Sequence, residues 1–275
     1  MKETIHVIAF QGEHGAYSEE AAATHFGTKT AKLPCLTLRQ VFEAVEDGRA
    51  QYGIVPAENS LEGSVNDTYD LLLQTALKIS GEVKIRINHC LLALPDTKLE
   101  DLKVVYSHPQ ALAQCAEFLE RSKIATEPAY DTAGSAKMIK ERHLREAGAI
   151  ASERTAGIYG LKVLQRNIED LPENFTRFFV IGPKDAPATG KDKTSVVFGT
   201  PHTPGSLQRV LGELASREIN LTRIESRPVR TVPWEYHFFV DFEGHRSEGK
   251  CGEALEALAK STTFLKVLGS YPQAK

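Results

Sequence analysis

An α/β domain followed by a small α+β domain is the fold class that the sequence predicts, on three observations. Short apolar runs of strand length alternate with amphipathic stretches over the first two thirds of the chain. A segment rich in Pro, Gly, Ala and charge, Gly182 to Asp192, then breaks the pattern. The remainder reads strand, helix, strand, strand, helix, strand, an order that within about 80 residues gives a ferredoxin-like sandwich. At 275 residues the chain is also long for one core and comfortable for two.

Each element has a local reason. Ile5 to Phe10 is strand-like, and Ser18 to His25 is helical until Gly27 stops it. Thr37 and Gln40 form a capping pair at the head of a helix that runs to Asp47 and ends at Gly48. Gly53 to Val55, Val83 to Leu94, Val104 to Tyr106, Ala149 to Ala151 and Arg177 to Ile181 read as strands. Val65 to Gln74, Gln110 to Arg121, Ala133 to Arg145 and Glu153 to Tyr159 read as helices. Such alternation argues for a mostly parallel sheet with helices on both faces. Beyond the linker the expected elements are strand Ser195 to Thr200, helix Ser206 to Arg217, strands Leu221 to Arg227 and Glu235 to Phe242, helix Gly252 to Lys260 and strand Phe264 to Leu268. The expected boundaries are therefore residues 1–183, a linker over 184–193, and residues 194–275.

Composition narrows the function. Lys plus Arg (33) against Asp plus Glu (36) gives a formal charge of −3, without the clustered basic excess that nucleic acids or anionic membranes require. Cysteines 35, 90, 115 and 251 form no C-x-x-C pair and the nine histidines no H-E-x-x-H, so reduced thiols and no metal are expected. No apolar run approaches the ~20 residues of a membrane span, and the start Met-Lys-Glu-Thr has no signal-peptide character, so a cytoplasmic location is expected. Gly-rich phosphate loops and a G-x-S-x-G nucleophile are missing, and Gly12-Glu-His-Gly15 is a weak glycine cluster. Cofactor-free chemistry on a polar organic acid is the expectation.

Three loops at the ends of strands are candidates for that chemistry. Pro56-Ala-Glu-Asn-Ser-Leu-Glu-Gly63 lies between a strand and a helix start, where Asn59 and Ser60 are placed to bind a carboxylate. Ser107-His-Pro-Gln-Ala-Leu-Ala-Gln114 opens a helix with Ser107 as its cap, and Gln110 and Gln114 share one face. In Asn174 to Gly182, alternation puts Thr176 and Phe178 on one strand face and Arg177 on the other. Position alone leaves the bland account open for all three: turn and cap residues in the first two loops, and β-propensity for the Thr in the third.

In this order the loops resemble the prephenate dehydratase family. The resemblance runs from Phe10-Gln-Gly-Glu-His-Gly-Ala-Tyr-Ser-Glu19 through Val55-Pro-Ala-Glu-Asn-Ser60, Gly63 and Ser107-His-Pro-Gln-Ala-Leu-Ala-Gln-Cys115 to Asn174-Phe-Thr-Arg-Phe178. His202-Thr-Pro-Gly-Ser-Leu207 and Glu225-Ser-Arg-Pro228 resemble the regulatory ACT domain that follows the catalytic domain in this family. The resemblance implies a catalytic domain of two α/β lobes, similar to a type II periplasmic binding protein, with the site in the cleft between them. It implies the lyase reaction of prephenate to phenylpyruvate in phenylalanine biosynthesis, with Thr176 required and Asn59, Ser107 and Gln114 as the matching polar residues. Substrate contacts are expected at Ser60, Arg177 and Phe178, with Glu58 as candidate acid. L-Phenylalanine is the expected effector, held by His202, Pro204, Gly205, Ser206, Leu207, Asn220, Leu221, Glu225 and Ser226. A homodimer or homotetramer is expected, because a βαββαβ domain leaves sheet edges open. No helical chorismate mutase module precedes the first strand, so the monofunctional form is expected. Two departures stand out: Gly12-Glu13-His14-Gly15-Ala16-Tyr17 replaces the usual Gly-Pro-x-Gly-Thr-Tyr, and Gly205-Ser206-Leu207 the usual Gly-Ala-Leu. The alternatives are an arogenate dehydratase and a non-catalytic module that binds aromatic acids.

Overall fold

The computed structural model describes residues 6–229 and 234–274. The strand expected from Ile5 begins, within the described residues, as β1 (Val7–Gln11). Next come α1 (Tyr17–Phe26), β2 (Ala31–Cys35), α2 (Leu38–Glu46), β3 (Tyr52–Asn59), β4 (Gly63–Ser64), α3 (Asn66–Gln74), β5 (Lys78–Arg86) and β6 (Cys90–Ala93). After a single 3-10 turn at Leu99–Asp101 come β7 (Val104–Ser107), α4 (Pro109–Ala113), α5 (Ala116–Ser122), β8 (Ala125–Pro128), α6 (Thr132–Arg142), β9 (Ala147–Ala151), α7 (Glu153–Tyr159), β10 (Lys162–Gln165) and β11 (Phe175–Gly182). No helix or strand occupies residues 183–191. The chain ends with β12 (Asp192–Gly199), α8 (Ser206–Ala215), β13 (Leu221–Pro228), β14 (Tyr236–Glu243), α9 (Gly249–Ser261) and β15 (Phe264–Pro272).

Three sheets result. The first has the order β2-β1-β3-β11-β5 with β4 against β3, the second β10-β6-β9-β7-β8, and the third β13-β14-β12-β15. In the first two, β1 runs parallel to β2 and β3, and β7 parallel to β8 and β9, while β6 is antiparallel to both β9 and β10. Both sheets thus combine parallel with antiparallel pairings, since β4 also runs antiparallel to β3. The third sheet is antiparallel at every pairing, with α8 and α9 covering one face over Val196, Phe198, Val210, Leu214, Val240 and Leu258. This is the expected βαββαβ domain.

Two segments that read as single elements are broken. Val83 to Leu94 is a strand of the first sheet and a strand of the second, joined by a crossover at Ile87, Asn88 and His89. The first alternates, with Lys84 and Arg86 exposed, the second is apolar throughout, and no Gly or Pro stands between them to mark the joint. Gln110 to Arg121 divides into α4 and α5, with Gln114 as the C-cap of the first and Cys115 the N-cap of the second.

By contact density the chain falls into two compact units, residues 1–66 with 83–178, and residues 67–82 with 179–275. The first contains the cleft. In the second, α3 and the start of β5 pack with the C-terminal domain: Tyr69 meets Phe179 and Phe239 edge-on, and Arg227 pairs with Asp70 at 2.8 Å. Lys266 Nζ donates to the carbonyls of Leu72, Leu73 and Thr75 at 2.8, 2.8 and 2.6 Å, which satisfies the C-terminal end of α3. The buried pair Lys193 and Glu82 (3.0 Å) joins β12 to β5, and the Ala274 N–H donates to the same carboxylate.

Candidate active site

A cavity of about 160 Å³ opens among α1, the end of β3, the crossover, α4 and β11. Strand alternation brings Thr176 and Phe178 to its wall and turns Arg177 away, as the period of two requires. Asn59 arrives from the end of β3, Gln110 and Gln114 from α4, and Tyr17 and His89 from the opposite side. Among the residues that line it there is no Lys, Arg, Asp or Glu. The polar groups on its walls are amides, hydroxyls and the rings of His89 and His108.

Their polarity is fixed from a distance. The backbone N–H groups of Leu61 and Glu62 donate to one end of the Asn59 amide at 3.0 and 3.1 Å, so that end is the oxygen. Asn59 Nδ2 therefore points the other way and donates to Asn174 Oδ1 (2.7 Å) and Thr176 Oγ1 (3.0 Å), with the Phe175 carbonyl at 3.2 Å. With its oxygen so engaged, Asn174 presents Nδ2, which donates to Gln114 Oε1 at 2.9 Å. Two donors are left for a ligand. The Thr176 oxygen is an acceptor for Asn59, so its hydroxyl proton is not spent there, and Gln114 Nε2 is buried with no partner in the protein. An orphaned buried amide of this kind costs about 1–3 kcal/mol unless something accepts from it.

Not every expected residue reaches the cavity. Ser107 is fully buried and donates to the Ile150 carbonyl at 2.6 Å. The helix cap expected of it is supplied by His108, whose ring accepts from the Gln110 N–H, because Ser107 still belongs to β7. Ser60 is occupied by the β11 approach, donating to the Glu173 carbonyl and accepting from the Phe175 N–H. Glu58, next to Asn59 and so on the opposite face of β3, pairs with Arg177 at 3.2 Å; neither lines the cavity, which removes Glu58 as its acid. Tyr17, Asn174 and His89 were not singled out from the sequence. The first two lie inside the motifs, whereas His89 sits within the stretch Val83 to Leu94 that reads as one strand.

The departing motif is tied to α6, α7 and the residues just before them. Glu13 pairs with Lys137 at 3.0 Å and accepts from Tyr130 at 3.1 Å, and its N–H donates to Asp131 at 2.8 Å. The Gly15 carbonyl accepts from Thr155 (2.9 Å) and Ser152 (3.2 Å), and Glu19 pairs with Arg154 at 3.0 Å. Burial would raise the Glu19 carboxyl, but the Gly15 N–H, His14 and Arg154 hold it below its usual range. Burial pushes Tyr17 well above the usual phenol range. Among the described residues no group of three or more His, Cys, Asp or Glu could hold a metal ion.

In the C-terminal domain His202, Gly205, Ser206 and Leu207 line a groove of about 700 Å³ with Leu211 and Phe238. Gly205 caps α8 with φ 77°, a left-handed conformation that a side chain would strain. The Pro204 carbonyl and Ser206 Oγ accept from Arg209. Asn220 lies elsewhere, in a second cavity with Glu218, Glu243 and Lys250, and Leu221 packs on the core. Glu225 pairs with Arg223, and Ser226 stands opposite Phe238 in the sheet. One copy of the domain therefore does not gather all nine expected effector residues.

Comparison with known proteins bears on this arrangement. The prephenate dehydratase family model matches residues 8–186, and the ACT domain model residues 194–260. A bifunctional chorismate mutase/prephenate dehydratase of Aquifex aeolicus is 45% identical over 269 residues, 97% of this chain and 74% of that protein. Arogenate dehydratase/prephenate dehydratase 2, chloroplastic, of Arabidopsis thaliana is 44% identical over 276 residues, 96% of this chain and 72% of that protein. A solved prephenate dehydratase from Arthrobacter aurescens in complex with L-Phe is 33% identical, with TM-score 0.89 over 97% of this chain and 90% of that one. With the cleft, its amide-lined wall and the βαββαβ domain all in place, the chain belongs to the prephenate dehydratase family and carries a C-terminal ACT domain.

Proposed function

We propose that this chain converts prephenate to phenylpyruvate, carbon dioxide and water, and that L-phenylalanine acting through the ACT domain inhibits it. The observation that carries the catalytic reading is the pair of fixed donors, Thr176 O–H and Gln114 Nε2–H, in a cavity lined by no Lys, Arg, Asp or Glu. Prephenate must lose its ring hydroxyl and its ring carboxylate together. A donor on the departing oxygen stabilises charge that exists only as the bond breaks, so it lowers the barrier rather than merely tightening binding. An arginine on the ring carboxylate would do the reverse, since that charge disappears as carbon dioxide forms. Neutral amides hold the acid without locking in the charge it must shed. Thr176 is assigned to the departing hydroxyl and Gln114 to a carboxylate or to the same oxygen. Thr176 needs no ionisation for this; it relays a proton from water.

The Asn59 and Gln114 side chains serve arogenate equally well, since it differs from prephenate in the side chain and not at the ring. Phenylpyruvate formation from prephenate and phenylalanine formation from arogenate, each with and without added phenylalanine, separate the two. Faster turnover of prephenate, suppressed by phenylalanine, supports the proposal; faster turnover of arogenate moves the enzyme to that substrate, and turnover of neither leaves an aromatic-acid binding module. No helix among the described residues is long and apolar enough to cross a membrane. A cytoplasmic enzyme is the reading that fits the chain's composition. The apolar side of the ACT groove, Leu207, Leu211 and Phe238, supports a homodimer or homotetramer in which a second copy completes the effector site.

A further inference from the structure

We propose that His89 is a positioning residue of this active site, held as the Nε2–H tautomer, which locks the Gln114 amide with its donor end toward the substrate. The inference rests on the dehydratase reading and goes beyond it by naming a residue in the crossover between the two sheets. His89 is 2% exposed and lines the cavity, and its Nε2 lies 3.1 Å from Gln114 Oε1. That oxygen already accepts from Asn174 Nδ2, and the order of amides back to the Leu61 and Glu62 N–H groups leaves it no freedom to be anything but an oxygen. An oxygen without a proton can only accept, so His89 Nε2 must carry the hydrogen. On the far side of the ring, Nδ1 lies 3.2 Å from the Tyr17 hydroxyl, and in this tautomer it accepts a share of that hydroxyl's single proton, the rest of which goes to the Asn88 carbonyl at 2.6 Å. The His89 N–H donates to Glu169 Oε2 at 2.9 Å, which anchors the backbone that carries the ring.

Gln114 is the C-cap of a five-residue helix, a place where a long side chain has few contacts of its own to fix its rotation. Two donors converging on Oε1 from different elements define the plane of its amide and hence the direction of Nε2. With Asn174 alone the amide can swing about a single bond. The geometry therefore assigns to His89 an effect on turnover transmitted through Gln114, without contact to the reacting atoms.

The test compares three variants of the full-length protein. His89→Gln places an amide N–H near the position of Nε2 and is expected to keep kcat/KM for prephenate within about threefold. His89→Asn reaches only the Nδ1 position, and His89→Leu offers no donor; each is expected to lose about tenfold or more, the worth of one orienting hydrogen bond. Thermal melts identify any variant that fails to fold. Ring-nitrogen NMR of histidine-labelled wild-type protein, with His89 assigned by its loss in His89→Gln, reads the tautomer without reference to activity. An Nε2–H signal is expected. An Nδ1–H signal, equal losses in the Gln and Leu variants, or an unimpaired Leu variant overturns the proposal. The NMR result stands apart from the dehydratase reading, which fails only if the wild-type protein turns over neither prephenate nor arogenate.

Discussion

Thr176 receives a hydrogen bond from Asn59, which leaves its own proton available to the cavity. Thr176→Ala is expected to lower kcat by about 10²-fold or more, and Thr176→Ser to retain most of it, in a phenylpyruvate assay. Ser107 makes the opposite prediction. Its hydroxyl is committed to the Ile150 carbonyl, so Ser107→Ala should leave kcat within about threefold while unfolding shows a loss of about 1–3 kcal/mol for the orphaned acceptor. Burial pushes His89 below the usual histidine range, opposed by its bond to Gln114 and by Glu169. Near pH 6 the unfolded chain binds a proton there that the folded chain does not, so stability is full above about pH 6.5 and declines as pH falls below it. His25 and His237 are lowered by burial in the same sense. Denaturation midpoints measured from pH 7.5 to 5 should therefore fall, and fall less steeply in His89→Gln. Asn59, Gln114 and Thr176 were legible in the sequence because each lies in a motif that carries the family resemblance. His89 was not, because the stretch Val83 to Leu94 around it contains no Gly or Pro before Leu94 and reads as one strand.

The elements that escaped the sequence share a position in the sheets. Ala31–Cys35, Ala125–Pro128 and Lys162–Gln165 are all outermost strands, and Pro34 and Pro128 sit where an edge tolerates a missing donor. Without two-sided burial they show neither an apolar run nor a clean alternation. One segment hid a joint for another reason: Val83 to Leu94 passes from an alternating strand to an apolar one with no turn residue between them, which concealed the crossover that carries His89. The order of the C-terminal domain was legible throughout: α8 and α9 each turn one apolar face to the sheet, β13 alternates, and β12, buried along its whole length, still carries an apolar run, Val196 to Phe198. Helix α3 shows what periodicity cannot supply, a cap from almost two hundred residues away. Lys266→Met removes three bonds to its last carbonyls and is expected to cost about 1.5–3 kcal/mol in equilibrium unfolding, with the circular dichroism of the folded state unchanged.

At the scale of the molecule the sequence boundary and the packing boundary do not coincide. The linker marks a change in composition near residue 183, yet residues 67–82 pack with the C-terminal domain, through Tyr69, the Lys266 cap and the Glu82–Lys193 pair. Gly269 lies so close to Ile79 that an added Cβ would fall on its carbonyl. A fragment ending at residue 183 keeps every cavity residue but strips the partners from α3 and leaves Glu82 buried without Lys193. It is expected to be poorly soluble, or to melt well below the intact chain in a thermal shift, even though phenylalanine sensing is all that it nominally lacks. Modular exchange is constrained by the same feature. A chimera that grafts a foreign sensor after the linker inherits a mismatched seam, whereas one that carries its own version of residues 67–82 moves both halves of the seam together. The sensor of this chain is inherited in two pieces, and the first of them begins just after the loop that sets the direction of Asn59.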